Sequence, residues 1–151
     1  AVEVSNLAVM IAEELGETPA FCDDLSIAGI LHDIGKMKLT KYIYSEEDTL
    51  VIEHIKYVRQ HSLYSYKILM EAGYPDNILK AVFYHHENYD GSGYPDSLRG
   101  EKIPWMARIL RTCDVFAALT SDRSYRKAFD VDTAVEIMRD EVADYEMEVL
   151  P

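Results

Sequence analysis

Wherever this chain is apolar, its apolar residues recur at three- and four-residue intervals, and that periodicity restricts it to helices. Val4, Leu7, Ala8, Ile11, Ala12 and Leu15 form the first stripe, which Gly16 stops. A second helix is expected to begin near Asp23 and Asp24, to turn Leu25, Ala28 and Leu31 inward, and to pass through His32 and Asp33 to a stop at Gly35. Ser45, ahead of Glu46, Glu47 and Asp48, reads as the N-cap of a third helix carrying Leu50, Val51, Ile55 and Val58. That helix is expected to break near His61, with a further stretch through Ile68, Leu69 and Ala72 to Gly73. Pro75 then opens a helix whose stripe of Ile78 and Val82 continues into His85 and His86, both directed toward the interior. Turn formers crowd the loop from Glu87 to Lys102. Ile103 or Pro104 opens a helix with Ala107, Leu110, Asp114 and Ala118 on its inward face. A last helix starts near Asp130 or Asp132 and carries Ala134, Ile137, Met138 and Val142. No strand pattern or internal repeat interrupts the series, so the expected fold class is all-α, a bundle of about six or seven helices.

A chain of 151 residues buries one substantial core, and residues 1–151 read as a single domain. No apolar run approaches the roughly 20 residues that cross a bilayer, so no membrane span is expected. Cys22 and Cys113 lack metal-ligand spacing and sit in apolar segments; they read as buried free thiols of a reducing, cytoplasmic setting. No signal peptide opens the sequence, and Ala1 in place of methionine reads as a processed or shortened chain. Fifteen basic residues against 27 acidic ones leave a net charge of −12, which argues against a DNA or RNA polymer and against an anionic membrane as partner. A phosphate-bearing substrate then requires local positive charge, and bound metal ions are the obvious source.

Three separated features put His or Asp at core-facing or helix-terminal positions: His32-Asp33, His85-His86 and Asp114. Any one of them is readily explained as a hydrogen-bonded core histidine or a surface ion pair. Together they point to a shared cation, because burying several titratable groups without partners costs kilocalories apiece. His54 and His61, seven residues apart on one helical face, both qualify to join such a site by spacing.

The order of His32-Asp33-Ile34-Gly35-Lys36, His61, His85-His86-Glu87, Asp90-Gly91-Ser92-Gly93-Tyr94-Pro95, Ala107-Arg108-Ile109, Asp114 and Leu119-Thr120-Ser121-Asp122-Arg123 with Tyr125-Arg126 resembles the HD-GYP domain over nearly the whole chain. The resemblance implies a two-metal cluster with Asp33 bridging. One metal is then held by Asp33, His61, His85 and His86, which selects His61 over His54, and the other by His32, Asp33, Asp114 and a first-helix histidine. The position of that last histidine falls just before Ala1, and Ala117 stands where three-metal members carry an acid. Two divalent ions rather than three are therefore expected, with weaker binding at the His32 and Asp114 position. Imidazole and carboxylate ligands without thiolate suit iron, manganese, nickel or zinc, and the resemblance favours iron or manganese.

The implied substrate is cyclic di-GMP, hydrolysed to linear pGpG and on to GMP, with Asp33 and Lys36 in the catalytic machinery. Lys36, Arg123 and Arg126 are assigned by the resemblance to the substrate phosphates, as a point charge and two bidentate forks. Tyr94 forms the lip of the pocket, where its ring can stack on guanine; the plainer alternatives are that Tyr94 packs on its neighbours and that Arg123 pairs with Asp122 or caps a helix. Two other readings stand beside this one: a phosphodiesterase for another cyclic dinucleotide, and a non-catalytic module that binds a nucleotide or docks on a diguanylate cyclase. The resemblance also allows a sensor-domain partner and a homodimer. The chain reads as trimmed at both ends, since it stops before the family's usual final helical segment.

Overall fold

Helices α1 (Val2–Glu14) and α2 (Pro19–Leu31) pack on each other along the stripes that their sequences set apart. Val4, Ala8 and Ala12 of α1 and Cys22, Leu25 and Ala28 of α2 are buried, and the small side chains among them let the backbones approach. Contact is tightest at Gly29, where an added Cβ would lie 2.8 Å from Ser5 Cα. Beside it, the Ser5 hydroxyl donates to the Ser26 carbonyl at 2.9 Å, satisfying a buried polar group across the same contact. The computed structural model describes residues 1–34, 51–122 and 126–140, without the side chains of 51–59 and of Asp140.

Helix α2 begins earlier than expected. Thr18, rather than Asp23 or Asp24, is the N-cap: its Oγ1 accepts from the Phe21 N–H at 3.1 Å, and Pro19 occupies the first turn. Threonine followed by proline is a stronger start signal than two acids, since one supplies the acceptor and the other a preset φ. The helix ends at Leu31 with His32 as C-cap.

Helix α3 (Val51–Glu71) runs uninterrupted for 21 residues, so the expected break near His61 does not occur. No glycine or proline falls within it, and a histidine costs a helix only about 0.7 kcal/mol relative to alanine. The expected cap at Ser45 lies outside the described residues. Helix α4 (Asp76–Phe83) closes at Tyr84, whose N–H donates to the Lys80 carbonyl at 3.0 Å. His85 and His86 therefore stand in the turn after α4 rather than within it. Glu87 N–H bonds back to the Tyr84 carbonyl at 3.0 Å, and this turn carries His85 into the interior, so the inward periodicity outlasts the helix.

Helix α5 (Trp105–Leu119), with Pro104 as N-cap, contacts α1, α2, α4 and α6 (Val131–Asp140). Its Trp105 indole N–H donates to Glu17 at 3.0 Å, tying its first turn to the α1–α2 connection. Asp130 accepts the Thr133 N–H at 2.8 Å and so caps α6, whose Ala134 and Met138 are buried; Val142 lies outside the described residues. Among the described residues there are six α-helices, a 3-10 turn at Gly100–Lys102 and no sheet, in agreement with the all-α expectation. None of these helices is long and apolar enough to cross a membrane. Cys22 and Cys113 are buried and free, as expected.

Gly29→Ala should destabilise the protein by about 1–3 kcal/mol, because the new Cβ meets backbone rather than a side chain that can swing aside. That outweighs the gain of up to about 1 kcal/mol in helix propensity. A lower urea midpoint with an unchanged m-value is the expected result.

Candidate metal centre

Four elements converge on one cluster. His32 and Asp33 follow the last turn of α2, His61 projects from the middle of α3, His85 and His86 follow α4, and Asp114 lies on α5. Their ligand atoms form two groups, each within 4.8 Å: Asp33, His61, His85 and His86, and His32, His85 and Asp114. The first matches the set implied for one metal. In the second, His85 is the member shared with the first group, where the resemblance implies Asp33. Asp33 nevertheless has an oxygen toward each side, Oδ2 at 3.1 Å from His32 Nε2 and Oδ1 at 3.8 Å from His85 Nε2.

Local backbone fixes two of the rings. The Nδ1 of His32 lies 2.5 Å from the Gly29 carbonyl, and that of His85 lies 2.6 Å from the Val82 carbonyl. A carbonyl only accepts, so each Nδ1 carries its proton and donates, leaving Nε2 as the nitrogen available to a cation. The Nε2 atoms of His85 and His86 are buried without a hydrogen-bond partner. The imidazoles pack edge to face, His32 on His85 at 5.1 Å and His61 on His86 at 4.5 Å between centroids. Such packing holds ring directions but supplies no acceptor for the inward nitrogens. A divalent ion does, and histidine with carboxylate is a donor set that suits one.

The charges follow the same geometry. Burial alone would lower the pKa of His32, but Asp114 and Asp33, at 3.4 and 3.1 Å, outweigh it and raise it to about 10. Burial alone would raise Asp114, but the hydrogen bond and charge of His32 hold its carboxyl below the ordinary value. His86 is held far below the ordinary histidine range, by burial first and then by His85, His61 and Arg111, so its ring is neutral. Beside Asp114, burial and the neighbouring carboxylate push the Cys113 thiol up to about 12, which makes it unreactive.

The turn-rich loop is fastened to the histidine pair by Glu87. This side chain is 1% exposed, and its two carboxylate oxygens accept the Asp96 N–H at 2.7 Å and the Leu98 N–H at 2.8 Å. Gly93 passes so close beneath that an added Cβ would collide with Asn88 N, His86 O and Glu87 Cα. The Tyr94 N–H then bonds to the His86 carbonyl at 3.2 Å, and the Tyr94 ring stacks on the His86 ring at 4.9 Å and 16°. The resemblance brought Glu87 in only as part of a motif. Its role was signalled by its place: an acid between two inward histidines and a loop with backbone N–H groups to satisfy.

Arg126 occupies backbone carbonyls. Its Nη1 donates to Lys127 O at 3.1 Å and Leu119 O at 3.4 Å, its Nη2 to Ala118 O at 3.2 Å, and its guanidinium covers the Phe129 ring. It thus caps the C-terminus of α5, where orphan carbonyls and the helix dipole favour a cation. Lys36 and Arg123 lie outside the described residues.

A family described as HD domain matches residues 1–149. The chain is 35% identical over 136 residues to the cyclic di-GMP phosphodiesterase response regulator RpfG of Xanthomonas campestris, covering 87% of this chain and 35% of that protein. It is 34% identical over 131 residues to the 3'3'-cGAMP-specific phosphodiesterase 3 of Vibrio cholerae, covering 87% and 28%. The chain therefore spans about a third of the length of these relatives. Among solved structures, an HDG"Y"P protein of Bdellovibrio bacteriovorus, Bd1817, superposes with a TM-score of 0.78 at 19% identity, over 99% of this chain and 48% of that one.

Glu87→Gln should weaken the loop's attachment, since an amide offers one acceptor oxygen where the carboxylate offers two. The expected cost is about 1–3 kcal/mol in urea unfolding, with faster amide hydrogen exchange at Asp96 and Leu98.

Proposed function

Since the chain belongs to the HD domain family, in its HD-GYP branch, we propose that it is a phosphodiesterase that hydrolyses cyclic di-GMP with two divalent metal ions, iron or manganese. The observation that carries this reading is the gathering of His32, Asp33, His61, His85, His86 and Asp114 into one cluster of imidazole nitrogens and carboxylate oxygens, a donor set that suits divalent ions. The relatives named for cyclic di-GMP and cGAMP phosphodiesterase activity support the substrate class. A setting in a reducing cytoplasm is supported by the two free thiols.

Bound divalent ions supply Lewis acidity toward the phosphodiester and bring the pKa of an attacking water from about 15.7 toward 7. The chain's own part is to hold and orient. Asp33, His61, His85 and His86 would hold one ion, and His32 and Asp114, with His85 or Asp33 between the groups, the other. The Gly29 and Val82 carbonyls hold the His32 and His85 rings with Nδ1–H outward and Nε2 toward the cluster, so those rings need no reorientation. Glu87 holds the Tyr94 loop over the cluster, and Tyr94, stacked on His86, is assigned to the rim where the dinucleotide enters. Lys36 and Arg123 are assigned to the phosphates. A contact by Arg126 would require it to serve a phosphate from the cap it makes on α5. Attack in line with the leaving oxygen gives linear pGpG, and a second cycle gives GMP.

Hydrolysis of 3'3'-cGAMP is the second reading, favoured by the 34% identity to a phosphodiesterase named as specific for it. Protein purified without oxygen and reconstituted with iron(II) or manganese(II) should release pGpG from cyclic di-GMP, and Asp33→Ala should be slower by more than about 100-fold. Undiminished turnover by Asp33→Ala would remove Asp33 from the site, and faster turnover of 3'3'-cGAMP would move the substrate assignment to it.

A divalent ion must also displace the proton that His32 holds between two carboxylates. With that pKa near 10, His32 is protonated throughout the neutral range, so metal binding releases one proton. Apparent manganese affinity should climb by up to tenfold per unit from about pH 6 to about pH 8. Titration in buffers of different ionisation enthalpy would register that proton.

A further inference from the structure

His86 differs from the other two fixed histidines in what its second nitrogen faces. The Nδ1 atoms of His32 and His85 meet carbonyls, whereas Nδ1 of His86 lies 3.5 Å from Arg111 Nη1. A guanidinium is a donor only and keeps its charge at any physiological pH, so the His86 Nδ1 in that contact must be the acceptor. The proton of the neutral ring is then on Nε2, the buried nitrogen that has no hydrogen-bond partner. Nor does Arg111 hang loosely beside the ring: its Nε–H donates to Asn88 Oδ1 at 2.9 Å, and the Asn88 amide donates to Ser92 Oγ at 3.0 Å. The bracket runs from α5 to the glycine-rich loop, whose Tyr94 stacks on the face of the His86 ring that Arg111 meets at its Nδ1 edge.

We propose that Arg111 is a positioning residue that holds His86 in the Nε2–H tautomer and thereby lowers metal affinity at the Asp33, His61, His85 and His86 position. The inference rests on the metal-dependent reading above only for its second half. Metal uptake through His86 Nε2 moves the ring proton to Nδ1, with no net loss of a proton from the ring, and leaves an N–H facing the guanidinium. The hydrogen bond from Arg111 is lost and a like-polarity contact replaces it. His32 and His85 keep a carbonyl partner for Nδ1–H in the metal-binding tautomer, whereas His86 gives up its hydrogen bond from Arg111. The position with four candidate ligands among the described residues is thereby held to a weaker affinity than those ligands predict, and its occupancy becomes sensitive to metal supply.

Two measurements on the chain test this. Long-range nitrogen–proton correlation spectra of the metal-free protein, with His86 identified through His86→Gln, should report Nε2–H for His86 and Nδ1–H for His85. Arg111→Gln, whose amide oxygen can accept from Nδ1–H, should move His86 to the Nδ1–H form and bind manganese(II) at this position about tenfold more tightly or better. Arg111→Lys keeps a cationic donor and should stay near the parent, whereas a residue that merely braces the fold would lose affinity in both variants. A parent His86 already in the Nδ1–H form overturns the proposal. So does Arg111→Gln binding manganese no more tightly than a parent whose binding Asp33→Ala abolishes. A parent that binds no manganese overturns the metal-dependent reading instead, and the tautomer spectrum still decides the role of Arg111.

Discussion

Two helices end by offering a backbone carbonyl to an imidazole, Gly29 to His32 after α2 and Val82 to His85 after α4, and the cluster depends on that pair of contacts. The last carbonyls of a helix have no partner within it, so the Nδ1–H groups satisfy backbone while they orient rings. Both histidines also stand at the end of the helix macrodipole that favours positive charge, which suits a place where cations are to be gathered. Gly29 joins this arrangement to the packing of the bundle. The residue whose missing side chain allows α1 to approach α2 is the same one whose carbonyl sets His32, so closeness of packing and direction of the ring are not independent.

The other side of the cluster is built by a loop, and there buried side chains take the place of helix geometry. Glu87 uses both oxygens on backbone N–H groups nine and eleven residues ahead, drawing the loop back over the turn that carries the histidines. Gly93 allows that return because no side chain fits beneath it, and Tyr94 arrives stacked on His86. A carboxylate so completely buried is tolerable only because two donors meet it. His85 and His86, adjacent in sequence, consequently have different supports: one is set by the helix before it, the other meets a loop tyrosine on its face and an arginine of α5 at its edge.

The helices were legible in the sequence because a buried stripe repeats every 3.6 residues, and α1 and α5 follow it closely. The failures lie where a different interaction decides. Thr18 and Pro19 start α2 through a cap that periodicity does not register. His61 lies in an unbroken α3 because a histidine does not stop a helix that has no glycine or proline. His85 and His86 keep the helical phase through a turn beyond the last helical residue, so their direction was readable and their conformation was not. The histidines and aspartates that the structure gathers were also readable as candidates, whereas the choice of His61 over His54 rests on family resemblance, since both share a helical face. Contacts such as Glu87 with Leu98, or Arg111 with His86, leave no period in the sequence, because each joins segments whose approach is set by the rest of the fold.

Charge imposes a final condition on any anionic substrate. The chain carries a net −12, and without metal the cluster sets the carboxylates of Asp33 and Asp114 beside the protonated ring of His32. A cyclic dinucleotide with two phosphodiester charges would meet a net negative surface and no compensating centre among these ligands. Distant acids matter little, since at physiological ionic strength exposed charges are largely screened beyond about 8 Å. The local balance therefore decides, and two divalent ions contribute about +4 there against the two carboxylates. For the proposed reaction the ions are thus required twice, first to make the cleft attractive to phosphate and then to activate water. In the proposed reaction substrate affinity, and not turnover alone, would depend on metal occupancy, and whatever governs occupancy at His86 would act on both.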